Sequence, residues 1–455
     1  MRKLSELRKE LEAKNRGRRI RIREKYLKER DNIKKLDDLK IIGITGSNGK
    51  STVAYIIHEY LKKLGYKSVL YSSCKIDSPA SYISPNNGAE ISFRTEDDLL
   101  EIIDTCEAYK ADYLVLEVNE RNIENGLVKN IPFNIKVLTS LIPEHNLSRY
   151  SKEEYVNIKK SFFEDKQNEI NIIGYQGYDK DIFNELVNIN KKNTITFSSE
   201  YISKIKGINT NEFDILLTKM DLSKDGTNFE IKEKFKNLMF RSNLLFGHNV
   251  LNLICVLSII KGLEKYEKNI YNYQIFDQVI NNLIIPGRCE CYNKGEGIVI
   301  IDTHMTKTLD GLKELKKNGL IDKIKVVVGS IGYGFKNWND DYKKEEYINK
   351  THIIRKKAMD KLKEVNYVYI TESDSGKEST LSICNELSQY LDEKVNREII
   401  VDRTRAIEKA LNDLGAKEAL LITGRGNRKL LCDSENNIRL LKDSDIVLNY
   451  LNTLK

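Results

Sequence analysis

A glycine-rich segment at residues 43–52, GITGSNGKST, carries the strongest chemical signal of the chain. It follows an apolar run at residues 39–44 and begins a helical pattern over residues 50–64. The backbone amides of such a loop and the helix N-terminus face phosphate, while a lysine neutralises charge and a hydroxyl binds magnesium. The segment therefore predicts a nucleoside triphosphate site formed by Gly46, Ser47, Asn48, Gly49, Lys50, Ser51 and Thr52.

The sequence of this loop resembles that of the Mur ligase superfamily, the ATP-dependent amide-bond-forming enzymes that include folylpolyglutamate synthetase. In that family a later strand ends on an acidic residue, and here Glu117 ends an apolar run. A threonine-led segment then carries a histidine, here His145, and a lysine follows fourteen positions later, here Lys159. The resemblance, which is closest to the MurE type, implies that the catalytic residues are Lys50, Glu117, His145 and Lys159.

The chemistry of the reaction explains why these residue types occur together. ATP and an attacking carboxylate are both anionic, so two magnesium ions must screen the phosphate and the nucleophile. The resemblance implies that the metal ligands are Ser51, Glu117, His145 and Lys159, the last as a carbamate formed with carbon dioxide. It also implies the reaction. The carboxylate attacks the γ-phosphate of ATP, and an amine then displaces phosphate from the acyl phosphate to form an amide.

Residues in the later part of the chain extend the resemblance. Asn249 lies in a segment, residues 247–252, that resembles the family's helix start beside adenine. Arg288 and Asp302 are implied to contact the phosphates and the ribose or adenine of ATP. An aspartate at a strand end is more commonly a helix cap, so a structural role stays open for Asp302 and Asp402.

The segments that hold the amino-acid acceptor in MurE-type enzymes differ here. Residues 371–377 replace the D-N-P-R motif and contain Asp374 but no arginine. Arg428 stands where the family has a glutamate, in the glycine motif that begins at Gly424. We therefore predict Asp374, Gly424 and Arg428 as acceptor-binding residues. Because Arg428 would repel a side-chain ammonium, we expect an acidic or uncharged amine rather than lysine or diaminopimelate.

These residues require a scaffold that brings several strand ends together. From residue 40 onward apolar runs alternate with helical patterns, which predicts an α/β fold with mostly parallel sheets. We expect a β-rich hairpin insertion over residues 200–232 and helices over 248–263 and 273–283. The expected strands lie near 39–44, 67–71, 113–117, 135–139, 297–302, 324–329, 367–371, 397–402 and 419–424.

The resemblance implies a P-loop central domain with a parallel sheet and a Rossmann-like, doubly wound C-terminal domain. We place a basic helical N-terminal extension at residues 1–36, the central ATP-binding domain at 37–285 and the ligase domain at 286–455. The extension is too short and too charged to form the UDP-sugar-binding domain of the murein ligases, so we expect that domain to be lacking.

The charge of the chain is very uneven. Its net charge is +8, yet residues 1–36 contain fifteen Lys/Arg against six Asp/Glu, so residues 37–455 carry −1. Nucleic-acid binding is therefore not predicted for the body of the chain, whereas the basic arm is suited to contact an anionic partner or polymer. Because no apolar run approaches twenty residues and no secretion signal is present, we expect no membrane span and a cytoplasmic protein.

The sequence thus predicts an ADP-forming ligase that joins a small-molecule or peptide carboxylate to an amino-acid amine, with cell-wall or polymer precursors as candidate substrates. Two alternatives stay open: a folylpolyglutamate-synthetase-like ligase, and a non-catalytic ATP-binding subunit of a larger complex. The DRxxAI pattern at residues 402–407 favours the MurE type over the first alternative. The catalytic set argues against the second.

Overall fold

The computed structural model describes residues 22, 38–79, 93, 95–142, 150–164, 170–234, 236–333, 344–376, 378–433, 435 and 437–454. These residues divide into an N-terminal unit that ends at Leu283 and a C-terminal unit that begins at Ile284. The basic extension predicted over residues 1–36 lies outside the described residues except for Ile22, which is buried in the same apolar core as Leu39 and Ile41.

One sheet of ten strands forms the centre of the N-terminal unit. Its strands are β1 (Lys40–Thr45), β2 (Ser68–Tyr71), β3 (Ile76–Asp77), β4 (Tyr113–Glu117), β5 (Ile135–Leu138), β6 (Ile170–Gly174), β7 (Thr194–Ser199), β8 (Ile215–Ser223), β9 (Gly226–Glu233) and β10 (Lys236–Ser242). Their order is β10-β9-β8-β7-β6-β5-β1-β4-β2-β3. The pairs β2-β3, β8-β9 and β9-β10 are antiparallel, and the other neighbouring pairs are parallel. Because β1 lies between β4 and β5, the carboxyl ends of these three parallel strands meet at one edge.

Helices cover both faces of this sheet, as its fully buried central strands require. They are α1 (Lys50–Lys63), α2 (Glu96–Tyr109), α3 (Glu120–Glu124), α4 (Lys152–Glu164), α5 (Lys180–Ile189), α6 (Glu200–Lys206), α7 (Gly247–Leu263) and α8 (Tyr273–Asn281), with short 3₁₀ turns at Lys191–Asn193 and Thr210–Glu212. Helix α7 is apolar on nearly every side and packs against α1 and strands β5 to β8. This packing fixes α1, and with it the glycine-rich loop, on the sheet.

The C-terminal unit contains a six-stranded sheet and a small hairpin. Its strands are β11 (Glu290–Lys294), β12 (Gly297–Asp302), β13 (Lys323–Val328), β14 (Tyr367–Ile370), β15 (Asn396–Ile399) and β16 (Glu418–Thr423), with β17 (Leu430–Cys432) and β18 (Ile438–Leu440) in the hairpin. The helices are α9 (Met305–Lys317), α10 (Lys344–Asp360), α11 (Thr380–Tyr390), α12 (Arg403–Asn412) and α13 (Asp443–Thr453). The order β11-β12-β16-β13-β14-β15, antiparallel only at β11, confirms the predicted α/β class.

The hairpin insertion predicted over residues 200–232 is partly wrong. Strands β8, β9 and β10 do form hairpins, but the stretch begins with helix α6. The side chain of Ser199 accepts a hydrogen bond from the backbone of Ile202, and Gly207 ends the helix at a φ of 64°. A serine cap and a left-handed glycine stabilise a helix of this length in spite of its polar composition.

Among the described residues, no helix combines the length and apolar character that crossing a lipid bilayer requires.

Candidate functional site

The glycine-rich loop, residues 46–49, joins β1 directly to α1. Two of its glycines are required by both backbone conformation and space. Gly46 has a φ of 145°, and a Cβ there would lie 2.1 Å from Oγ1 of Thr139. Gly49 has a φ of 84°, and its Cβ would lie 2.3 Å from Oδ1 of Asn252. Gly49 occupies the N-cap position and has no side chain that could cap the helix. The first backbone amides of α1 can therefore donate hydrogen bonds to a bound anion.

The segment after β5 holds this loop in place through neutral groups. The backbone amide of Ser47 donates to the carbonyl of Ser140 at 2.9 Å, and that of Asn48 donates to the Ser140 hydroxyl at 3.0 Å. The Thr139 hydroxyl donates to the carbonyl of Asn48 at 2.5 Å. These contacts within the chain fix the shape of the loop, which reduces the ordering cost of binding a phosphate.

Lys50 is the first residue of α1 and lies over the loop. Its Nζ donates to the carbonyl of Gly46 at 2.8 Å. This contact curls the side chain back across the concave side of the loop, so the ammonium lies where a bound phosphate needs a cation.

Glu117 ends β4 and is held by four donors. Its Oε2 accepts hydrogen bonds from the Ser51 hydroxyl at 2.9 Å, the Ser72 hydroxyl at 3.0 Å and the Ser73 amide at 2.8 Å. Its Oε1 accepts a longer bond of 3.3 Å from the Ser73 hydroxyl. A buried carboxylate is thus fixed beside the Ser51 hydroxyl, and both are hard oxygen donors of the kind that magnesium prefers.

Lys159 on α4 is completely buried beside the end of β1. Its Nζ donates to Oγ1 of Thr45 at 2.9 Å and lies 3.5 Å from Oε2 of Glu120. Burial, together with repulsion from Lys50, lowers the pKa of Lys159 to about 7, although Glu120 and Glu117 oppose this shift. A substantial fraction of the side chain is therefore the neutral amine at neutral pH, and only that form reacts with carbon dioxide.

The predicted ligand His145 lies outside the described residues, as does the whole stretch 143–149. The described chain leads up to it: the amide of Ile142 donates to the Ser47 hydroxyl at 2.8 Å, which ties the start of this stretch to the loop.

Two asparagines of α7 lie next to the loop. Asn249, predicted as a nucleotide contact, is buried and donates through Nδ2 to the carbonyl of Leu245 at 2.9 Å. Asn252 donates to Oδ1 of Asn249 at 3.3 Å and occupies the space beside Gly49. The second asparagine was not predicted as a site residue, and its spacing of three from Asn249 on a helix was the available signal.

A groove of about 810 Å³ opens on the N-terminal unit beyond the same loop. Its wall includes Leu141 and Ile142, which precede the stretch with His145, and Gln176, whose Nε2 donates to the carbonyl of Thr139 at 2.9 Å. Charged residues of both signs complete the wall: Lys152, Glu153, Lys160, Asp179, Glu185 and Lys206.

In the C-terminal unit, the side chain of Asp302 accepts hydrogen bonds from residues at the start of α9. Its Oδ1 accepts from the amide of His304 at 2.9 Å and its Oδ2 from the Thr308 hydroxyl, while burial raises the pKa of Asp302. The side chain of Asp402 caps α12, because its Oδ1 accepts a hydrogen bond from the amide of Arg405. Arg288 donates to the neighbouring carbonyl of Gly287 at 3.2 Å. These contacts provide the structural role that the sequence left open for both aspartates.

Two of the predicted acceptor residues, Asp374 and Arg428, share one buried cluster. Asp374 is fully buried, and its Oδ2 lies 2.8 Å from Nη1 of Arg428 and 3.1 Å from Nη1 of Arg425. Its Oδ1 accepts from the amide of Cys432 at 3.0 Å. Gly424 has a φ of 98° at the end of β16. Arg428 is thus paired with a carboxylate. Because Arg425 contacts the same carboxylate, two guanidinium groups are balanced by the single negative charge of Asp374.

Several residues of the site were not predicted from the sequence. They are Thr45, Ser72, Ser73, Glu120, Thr139, Ser140 and Tyr155. Tyr155 lies four positions before Lys159 on α4, so helical spacing was the signal for it, whereas Glu120 could be found only by its closeness in sequence to the strand end at Glu117. The hydroxyl residues have no such signal, because their role depends on which strands are neighbours.

Comparisons with known proteins relate this arrangement to a family. Residues 44–260 match the family described as the Mur ligase middle domain. The UDP-N-acetylmuramoyl-L-alanyl-D-glutamate--2,6-diaminopimelate ligase of Wolinella succinogenes is 25% identical over 423 residues, covering 92% of this chain and 86% of that protein. The UDP-N-acetylmuramoyl-L-alanyl-D-glutamate--L-lysine ligase of Streptococcus thermophilus is 24% identical over 403 residues, covering 86% and 72%.

The fold is also similar to that of solved structures. A UDP-N-acetylmuramoyl-L-alanyl-D-glutamate--2,6-diaminopimelate ligase structure has a TM-score of 0.58 and covers 92% of this chain and 79% of its own, at 19% sequence identity.

Proposed function

The chain belongs to the Mur ligase superfamily and is a MurE-like, ATP-dependent ligase, and from this premise we propose how its residues perform the reaction. A substrate carboxylate attacks the γ-phosphate of ATP, which gives an acyl phosphate and ADP. An amine then attacks the acyl carbon and releases phosphate, which leaves an amide bond. Because the reaction consumes ATP, we place it in the cytoplasm.

The observation that carries this proposal is the convergence of Lys50, Glu117 and Lys159 at the edge where β1, β4 and β5 end. The amides of residues 46–49 and the start of α1 are suited to hold the phosphates. Lys50 supplies a positive charge at the oxygens that gain negative charge during transfer. Positioning and charge stabilisation of this kind account for most of the catalysis of phosphoryl transfer.

Magnesium fits the donor set, because the Glu117 carboxylate and the Ser51, Ser72 and Ser73 hydroxyls bonded to it are hard oxygen ligands. When bound, magnesium would screen the charges of ATP and of the attacking carboxylate. We propose two such sites, with Ser51, Glu117, His145 and Lys159 as ligands. Lys159 takes part as a carbamate, and its buried amine, with a pKa lowered to about 7, supports this modification.

The amine substrate is proposed to be an amino acid that carries an additional acidic or uncharged group. The cluster of Asp374, Arg425 and Arg428 has two guanidinium groups for one carboxylate, so its net charge is positive. A carboxylate on the acceptor compensates this charge, whereas a side-chain ammonium adds to it. Asp374, Gly424 and Arg428 remain the proposed acceptor residues, and Arg288, Asp302 and Asn249 remain proposed nucleotide contacts.

The acid substrate is proposed to lie in the groove beside Leu141 and Ile142. This groove adjoins the loop that holds the phosphates, and its wall offers three lysines beside an equal number of acidic side chains. The two relatives named above act on UDP-N-acetylmuramoyl peptides, and an acidic peptide of a cell-wall or polymer precursor is the corresponding proposal here.

Release of ADP from ATP tests the function. We expect ADP formation to require both an acidic peptide and an amino acid, and a screen of such pairs, followed by mass spectrometry, identifies the amide product. ADP release that is independent of any amine would contradict the proposal.

The role of Lys159 is tested by Lys159→Ala, which we expect to abolish ADP release and to be rescued in part by short-chain carboxylic acids that occupy the space of the carbamate. Lys129→Ala is the control, because Lys129 is exposed and lies outside both the loop and the groove. An inactive Lys159→Ala that no carboxylic acid rescues argues against the carbamate, and an active one argues against the site.

A further inference from the structure

Glu120 is a second carboxylate of the site, and the reaction described above does not use it. It is the first residue of α3, three positions after Glu117. Its Oε2 lies 3.5 Å from Nζ of Lys159, and its side chain is mostly buried, with 16% exposed. The pair therefore places a negative and a positive group, largely shielded from water, beside Glu117 and Thr45.

A purely structural ion pair explains this arrangement poorly. Buried ion pairs offset their desolvation cost only when the geometry is close and the remaining polar atoms are satisfied. Here the carboxylate and the ammonium are 3.5 Å apart, and the one closer contact described for Nζ is the neutral Thr45 hydroxyl at 2.9 Å. Glu120 thus compensates the charge of the buried Lys159 only in part.

If Lys159 is a carbamate, as proposed, the position of Glu120 becomes electrostatically unfavourable. The Lys159 ammonium first loses one proton to solvent. Carbamylation then joins the neutral nitrogen to the carbon of carbon dioxide and releases a second proton, so a cation becomes an anion in two steps. The new carboxylate-like group then lies beside Glu120, and two buried anions repel each other unless a cation lies between them. A divalent cation that is bound by oxygen atoms satisfies this requirement.

We propose that Glu120 is a ligand of a divalent cation in this site, and that the Lys159 ammonium occupies the place of that cation while the ion is absent. The inference rests on the proposed function and adds to it a carboxylate that the family resemblance did not identify. Together with Glu117, Glu120 gives the site two carboxylates from the adjoining ends of β4 and α3.

Binding of Mn²⁺ in the presence of ADP tests this inference without reference to catalysis. Electron paramagnetic resonance of free Mn²⁺ gives the affinity for the wild-type protein and for Glu120→Gln. We expect Glu120→Gln to weaken Mn²⁺ binding by at least about tenfold, because loss of even an outer-shell partner of a metal site costs about 10- to 100-fold. Glu120→Asp, which keeps the charge but shortens the side chain, should retain an intermediate affinity.

Glu124→Gln is the matched control, because Glu124 lies on the same helix but accepts a hydrogen bond from Tyr150 at 2.7 Å. Unchanged Mn²⁺ affinity in Glu120→Gln overturns the inference, and so does a loss equal to that of Glu124→Gln, which indicates a structural role. Glu117→Gln separates the two proposals. If it loses Mn²⁺ binding while Glu120→Gln does not, only the inference fails; if the wild-type protein binds no Mn²⁺ with ADP, the proposed function fails.

Discussion

Two fully buried cations, Lys159 in the N-terminal unit and Arg403 in the C-terminal unit, have very different surroundings. Arg403 donates to both carboxylate oxygens of Asp443, at 2.7 and 2.8 Å, and to the carbonyl of Thr423 at 2.9 Å. Lys159 donates to one neutral hydroxyl and has its nearest described carboxylate at 3.5 Å. The first cation is neutralised by close partners, and the second is not.

The difference separates charges that hold the fold from charges that are available for chemistry. A buried ion pair with a bidentate geometry has little capacity to change its partners or its protonation. A buried cation with incomplete compensation has a shifted pKa and can react or exchange partners, which is typical of functional sites. Lys159, with a pKa lowered to about 7, is of the second kind.

The largest effect is expected on the structural side of this comparison. Arg403→Met leaves the fully buried Asp443 without its guanidinium partner, and we expect the free energy of unfolding to fall by about 3–5 kcal/mol. Urea denaturation measures this change. Replacing both partners, as Arg403→Met with Asp443→Leu, should recover most of the loss. If Arg403→Met alone is as stable as the wild-type protein, Arg403 does not hold the fold, and the proposed difference between Arg403 and Lys159 is wrong.

On the functional side, Lys50→Ala should lower the rate of ADP formation by roughly 10²–10³, because it removes a cation that faces the phosphates. Its stability should change little, since Lys50 donates to a loop carbonyl and not to a buried acid. Lys63→Ala, at the exposed last turn of the same helix, is the control. Comparable rates for Lys50→Ala and Lys63→Ala would exclude Lys50 from phosphate transfer.

The protonation of Lys159 gives a third effect, measured without metal ions and without carbon dioxide. Its folded-state pKa of about 7 lies below the ordinary value of 10.5. Between these values the unfolded chain binds the proton and the folded chain does not, so the wild-type protein gains stability as the pH rises, by up to about 1.4 kcal/mol per unit.

Lys159→Met lacks this titration and provides the reference. The difference in the free energy of unfolding between the two proteins should therefore shift in favour of the wild-type protein from pH 7 to pH 9. A difference that stays constant over this range means that the buried lysine keeps its ordinary pKa.

The sequence predicted the parts of the site that depend on local order. The strands around β1 and β4 were predicted within a residue or two, because long apolar runs of β-branched residues with a clear end identify buried parallel strands. The glycine loop was predicted from such a strand end and from its own spacing, whereas Glu117 and Lys159 were implied by the resemblance to the Mur ligases. Strands β6, β7 and β11 were missed, since their short and partly polar sequences resemble those of loops.

The rest of the site depends on contacts between distant parts of the chain. The Thr139 hydroxyl contacts the loop because β5 pairs with β1, although ninety-one residues separate it from Asn48. The same strand order brings α4 against the loop, and no local pattern specifies that order. A residue such as Ser140 was therefore out of reach of spacing arguments until the sheet was known.

Tyr155 gives the smallest predicted effect, and it contacts both the glycine-rich loop and Lys159. Its hydroxyl lies 3.0 Å from that of Ser47 in the loop, and its ring centre lies 5.5 Å from Nζ of Lys159. Tyr155→Phe removes one hydrogen bond but keeps the ring, so we expect a cost of about 1 kcal/mol, seen as a nucleotide affinity roughly fivefold weaker. Tyr150→Phe, which loses a bond to Glu124 instead, should lose comparable stability but bind nucleotide normally. If both variants bind nucleotide equally well, the Tyr155 hydroxyl only holds the fold, and the loop keeps its shape through the Thr139 and Ser140 contacts alone.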